Sequence, residues 1–184
     1  PIAGSEVSGP ENGKEDLFEN KWCVLIKDKK TNIKHLNFLK SFWKRVGSKI
    51  VVMNSEKHDQ IFSMTSHLPH LIAYNLVKSA QDFEKKQRYN LIKYSAGGLR
   101  DFSRIAASNE IMWRDIFFNN KTNVSKAIDI FVKNLHSFKR DIISGNSKSV
   151  IKKLTQTKKV RSKIVKLKQD TCLLYTSPSP RDWM

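Results

Sequence analysis

The chain has 184 residues, enough for one domain or one domain plus part of another, and 39% of them are hydrophobic, enough for a core. No apolar run approaches the roughly 18 residues a membrane helix needs, so a membrane partner is not expected. The formal charge of +17 raises the question of nucleic acid, but nine Lys or Arg fall between Lys148 and Lys168 with no acid among them. The excess is mostly lysine beside many Ile and Asn, a bias that AT-rich coding produces by itself, so no specific nucleic-acid partner is expected.

The first twenty residues are polar and punctuated by Gly4, Gly9, Pro10 and Gly13, and read as loop. They lack a basic leader followed by an apolar segment, and the chain does not open on Met, so it reads as a fragment. Cys23 and Cys172 are too few and too far apart for a disulfide framework or a zinc site, which suits a reduced, cytoplasmic setting.

Lys21–Lys27 is a short apolar run that predicts a buried strand. Ile33, Leu36, Phe38, Leu39, Phe42, Trp43 and Val46 have helical spacing within Thr31–Val46, and Gly47 supplies a stop. Ser48–Met53 is a β-branched run and a second strand. Strand, helix, strand is the tail of an α/β unit.

From Ser55 onward the pattern is helical. In Lys57–Val77, Ile61, Met64, Leu68, Leu71, Ile72 and Leu76 recur at three- and four-residue steps and predict one buried helix face running to about Ala80. The same stretch carries His58, His67 and His70, with Pro69 in its middle, where it removes a backbone donor and kinks a helix. Such a helix is either a kinked core element with satisfied histidines or one shaped for a site. His67 and His70, three apart, share a face; His58, nine positions before His67, falls on the opposite side of a regular helix. A metal would need a third ligand and supporting contacts, so none is assigned.

Asp82–Tyr94 leads to a loop at Ser95–Gly98, from which Arg100, Asp101 and Arg104 follow. Gly97 and Gly98 would let the backbone turn sharply or approach a ligand. An Arg placed by such a loop suits a carboxylate, through two parallel hydrogen bonds; the plainer reading is a surface turn with an Arg–Asp pair. A helix opened by Ser108 or Asn109 runs to Phe118, and Thr122 or Asn123 caps another that carries Val124, Ala127, Ile128, Phe131, Leu135 and Phe138 to Ile143. Ser147–Leu167 is a lysine-rich amphipathic segment. G-x-G-x-x-G is absent, so cofactor-binding residues are not identifiable.

Three blocks then act together: PIAGSE at the start, HDQIFSMTSHLPHLIAYNLV, and GGLRDFSRIAASNEIMWRDIFFNN. In this order and spacing they resemble the prephenate dehydrogenase family, including its cyclohexadienyl (prephenate/arogenate) members, over roughly residues 1–145. The resemblance implies a mainly α chain: the C-terminal end of a Rossmann domain (1–54), then an all-helical substrate-binding and dimerisation domain (55–171). Residues 172–184 resemble the translation of a sequencing adaptor and are set aside as a non-native tail.

The family oxidatively decarboxylates prephenate to 4-hydroxyphenylpyruvate, or arogenate to tyrosine, in tyrosine biosynthesis with reduction of NAD, or of NADP in some members. The implied partners are the small-molecule substrate and a second copy of the chain, in the cytoplasm. The family's catalytic histidine stands immediately before the Pro-x-Ala-Gly-Ser-Glu motif. It would precede Pro1, so no catalytic residue is expected in the chain as given, which should be inactive alone. By motif position, Arg104 matches the arginine that binds the substrate's ring carboxylate, and His70 a pocket histidine near the substrate side chain. His67 and His58 match other pocket histidines. Ser5 and Glu6 line the mouth, Asp101 orients Arg104 or its loop, Trp113 packs close by, and Gly97 and Gly98 permit the loop's approach. Leu99 stands where the family often has an aromatic residue. The rival readings are a non-catalytic helical dimerisation or regulatory module and a basic nucleic-acid-binding helical protein.

Overall fold

The computed structural model describes residues 1–3, 9, 11, 13–88 and 90–167. The chain divides into two compact units, residues 1–128 and 129–184.

The first unit opens with a strand–helix–strand. β1 (Trp22–Ile26) pairs in parallel with β2 (Lys49–Met53), Trp22 opposite Lys49 and Ile26 opposite Met53. α1 (Ile33–Arg45) connects them. Successive strand side chains alternate faces, so Cys23 and Leu25 turn inward together and bury against Leu36, with Trp43, Ile50 and Val52 around them. Asn32 caps α1 by accepting from the N–H groups of Lys34 and His35. Gly47 ends the connection at φ +87°, where a side chain is strained, and a Cβ there would stand 3.2 Å from the Glu19 backbone. The chain before β1 is stitched to this corner: Asn20 N–H donates to Gly47 O, Ser48 Oγ to Phe18 O, and Phe18 meets Trp43 edge-on.

The stretch after β2 departs from the single kinked helix its periodicity predicts. α2 (Ser55–Phe62) gives way to a π turn, Ser63–His67, and α3 (Leu68–Gln87) follows. Leu68 N–H reaches back five residues to Ser63 O. Pro69 therefore lies in the first turn of α3, where its missing donor breaks no intrahelical bond, instead of in a helix interior. The π turn also carries one extra residue, which rotates everything after it by about 100° relative to a regular helix. The opposition of His58 and His67 expected from a regular helix is lost. α3 also runs seven residues past Ala80, to a left-handed Arg88.

After a short 3-10 turn at Ile92–Tyr94 comes α4 (Gly97–Arg104), so Gly97 and Gly98 open a helix where a sharp loop was expected. Neither has positive φ, and an added Cβ at either would meet open space. Ala96, extended and without a side-chain cap, is what turns the chain into α4. α4 and the 3-10 turn Ile105–Ala107 pack on α3. Tyr74 of α3 secures the next corner by donating to Ser108 O at 2.6 Å. α5 (Glu110–Asn119) is capped by Asn109, which accepts from Met112 N–H. α6 (Lys121–Ile143) starts directly behind it, ahead of the expected caps Thr122 and Asn123, because buried Asn120 already receives Val124 N–H on its carbonyl. Among the described residues no helix is long and apolar enough to cross a membrane.

In the second unit the end of α6 turns back through Gly145 (φ +64°) into α7 (Ser147–Lys166), capped by Asn146. Asp141, 8% exposed, holds this hairpin. Its Oδ2 accepts from Ser149 Oγ at 2.5 Å and from Lys153 Nζ at 2.6 Å, while Lys153 also donates to Ser137 and lies over the Phe138 ring. The Lys153 and Ser149 hydrogen bonds hold the Asp141 carboxyl below its ordinary pKa. A carboxyl depressed in the folded state adds stability above its unfolded value of about 3.9 and loses it as pH falls through the folded value. Protection of the α7 amides against hydrogen exchange, corrected for the intrinsic pH dependence, should therefore fall below about pH 4, and Asp141→Asn should show low protection already at neutral pH with that acid step gone.

Candidate functional site

The site is a wall of rings assembled by α2, the π turn, α3 and α5. Trp113 of α5 is its centre, 6% exposed. His70 stacks on it with centroids 3.8 Å apart and planes 23° from parallel. His67 meets it edge-on at 6.2 Å, and Phe117 lies tilted against it at 5.5 Å. Offset and edge contacts of this kind add about 0.5–1.5 kcal/mol each beyond area burial. His58 packs on Phe62 at 4.4 Å, one turn further down α2. All three histidines are half-buried.

Hydrogen bonds decide what each ring presents. His70 Nδ1 lies 2.9 Å from the backbone carbonyl of Ser66, which can only accept, so the proton is on Nδ1 and neutral His70 keeps a bare Nε2. His58 Nδ1 likewise donates to the Asp59 carboxylate at 2.9 Å. His67 Nδ1 faces the amide of Asn120 at 3.3 Å, and that amide also donates to Asp59 O at 2.8 Å. Burial pushes the His67 pKa down, with the positive potential of His58 and His70 in support and Asp59 in opposition. One fully buried side-chain polar atom of the wall has no protein partner among the described residues: the indole N–H of Trp113. A buried donor left unmatched costs about 1–3 kcal/mol.

The structure brings His58, His67, His70 and Trp113 together. Arg104 and Asp101 stand on α4, three residues apart on one helix face and exposed, with Gly97 and Gly98 at that helix's start. Ser5 and Glu6 lie outside the described residues, as does the tail 172–184. Among the described residues no three His, Cys, Asp or Glu side chains gather as a metal-binding group. Sequence reasoning missed Asn120, which falls between two expected helices and was given no role. It also missed the Ser66 and Asp59 carbonyls, which as backbone atoms carry no sequence signal.

The lowered His67 pKa sets a pH dependence. The unfolded ring, with a pKa of about 6.5, binds a proton that the folded one resists, so stability is full above about pH 6.5 and falls as pH drops below it. Denaturant midpoints measured from pH 8 to pH 5 should decline in the unaltered chain, and His67→Gln should flatten part of that decline.

Residues 54–156 match the family model described as prephenate dehydrogenase, dimerization domain, and residues 1–52 match prephenate dehydrogenase, nucleotide-binding domain. Cyclohexadienyl dehydrogenase of Zymomonas mobilis is 34% identical over 161 residues, covering 88% of this chain and 55% of the relative. Prephenate dehydrogenase of Bacillus subtilis is 33% identical over 162 residues, covering 88% and 43%. The crystal structure of prephenate dehydrogenase from A. aeolicus, in complex with hydroxyphenyl propionate and NAD+, superposes with a TM-score of 0.83 at 41% identity, covering 89% of this chain and 57% of that one. The chain thus spans about half the length of the curated relatives it matches.

Proposed function

The chain belongs to the prephenate dehydrogenase family, and from that premise we propose that it forms the substrate side of an enzyme that oxidatively decarboxylates prephenate, or arogenate, in tyrosine biosynthesis. The observation that carries this reading is the ring wall. His70 stacked on Trp113, with His67 edge-on to the same indole, is a ring surface suited to a flat substrate ring, and it lies within the segment matching the family's dimerization domain. The A. aeolicus relative, which holds hydroxyphenyl propionate and NAD+, supports the same class of ligand and NAD as oxidant of the whole protein.

In this reading Arg104 takes the ring carboxylate through two charge-assisted hydrogen bonds until that carboxylate leaves as carbon dioxide. His70 meets the substrate side chain with its bare Nε2, or with a second N–H when protonated. His67, His58 and Trp113 form the wall behind, Asp101 orients Arg104, and Gly97 and Gly98 keep the start of α4 clear. Ser5 and Glu6 belong to the mouth of the same pocket. Cationic groups around it favour capture of a dianion.

The described residues do not build a cradle for a dinucleotide. The first turn of α1 is already closed by Asn32, and no glycine-rich turn leads into it. Residues 1–52 nonetheless match the family's nucleotide-binding domain, and in this reading the helical part of the chain binds and orients the substrate. Homodimerisation belongs to the same proposal. α6 exposes Ile130, Leu135, Ile142 and Ile143, and α7 exposes Ile151 and Leu154, apolar surface that a second copy would cover.

In the full-length protein carrying this segment, prephenate or arogenate should drive NADH formation; no NADH from either substrate would overturn the reading. Arg104→Ala should raise the substrate KM by about tenfold or more and leave the KM for NAD within about twofold, since a hydrogen bond to a charged group contributes about 1.5–3 kcal/mol. Equal loss for substrate and cofactor would remove Arg104 from the carboxylate role. His70→Ala should change the ratio of kcat/KM for prephenate and arogenate, and an unchanged ratio would take it away from the substrate side chain.

A further inference from the structure

Asn120 lies buried at the junction of α5 and α6, 7% exposed, and its orientation is fixed by what surrounds it. The carbonyl of Asp59 only accepts, so the amide atom 2.8 Å from it is Nδ2. At the other end Oδ1 accepts from Asn123 Nδ2 at 2.8 Å. The second N–H of Nδ2 is then the one that faces His67 Nδ1 at 3.3 Å. Only a ring nitrogen with a free lone pair can receive it.

We propose that Asn120 is a positioning residue that holds His67 as the neutral Nε2–H tautomer, so that two neighbouring rings of the wall are locked in opposite states. His70 gives its Nδ1–H to Ser66 O and keeps Nε2 as an acceptor; His67 accepts at Nδ1 and keeps Nε2–H as a donor. A second proton on His67 would set N–H against N–H at Asn120. The depressed pKa of His67 agrees with this. The charged and titratable groups bearing on His67 are His58 and Asp59 from α2 and His70 from α3; Trp113 and Asn120, from the α5–α6 side, do not titrate. A donor and an acceptor fixed three residues apart would distinguish ligands by the placement of their own donors and acceptors. That use rests on the substrate-site reading above; the position of the proton does not.

The test is long-range 1H–15N NMR of the full chain labelled with 15N-histidine, which reports the protonated nitrogen of each ring. At neutral pH His67 should be the Nε2–H tautomer and His70 the Nδ1–H tautomer. Asn120→Asp, the same shape with no donor, should move the His67 proton to Nδ1 and raise its titration midpoint by about one pH unit or more. His67 found as Nδ1–H in the unaltered chain, or unmoved by Asn120→Asp, would overturn the proposal. Should Asn120→Asp fail to fold, the tautomer in the unaltered chain decides alone. Intact opposite tautomers in a full-length protein that does not bind prephenate would leave the Asn120 assignment standing and count against the substrate-site reading.

Discussion

The missing N–H of Pro69 is the constraint on which this site depends. Within a regular helix from Ser55 to Gln87 that proline would remove one hydrogen bond and crowd the carbonyl a turn before it, at a cost of about 3 kcal/mol. The chain avoids this by widening one turn, Ser63–His67, so that Pro69 falls in the first turn of the helix that follows. The extra residue rotates α3 relative to α2. His67 and His70 then come to one side of Trp113, and His58 comes close enough to bear on the pKa of His67. Ser63 and Thr65 support the widened turn by donating to the Gln60 and Ile61 carbonyls.

Polar atoms inside the apolar wall are managed one at a time. The Ser66 carbonyl takes the His70 proton, the Asp59 carbonyl and the Asn123 amide take both ends of Asn120, and the Trp113 N–H alone has no described partner. Satisfied groups become rigid in a low dielectric, and an unsatisfied one is costly. Fixed Nδ1 partners on all three rings are what separate the wall from a core that happens to contain histidines.

The strong basic charge has a different origin. α7 carries a dense block of it with no acid, mostly on exposed lysines, and one lysine serves the fold: half-buried Lys153 ties α7 to Asp141, Ser137 and Phe138 of α6. The net charge alone raised the question of nucleic acid; the hairpin accounts for Lys153 as a structural clamp, and exposed Ile151 and Leu154 on the same helix suit burial against protein.

By itself the sequence determined the two strands and the helix between them. The short apolar run in Lys21–Lys27, the 3.6-residue period of Ile33–Val46 and the stop at Gly47 are local properties, and each carries its own signal. It also determined, through three long motif blocks, the family and the identity of His58, His67, His70, Arg104 and Trp113 as residues of interest. Only the tertiary structure decided how those residues meet. A π turn leaves no periodic signature of its own, since one inserted residue merely shifts the phase of the pattern after it. Gly97 and Gly98 read as a loop because glycine is a poor helix former, but α4 is stabilised by packing on α3, a gain no local window contains. The tautomer of His67 depends on an amide 53 residues away, anchored by a backbone carbonyl that has no letter in the sequence.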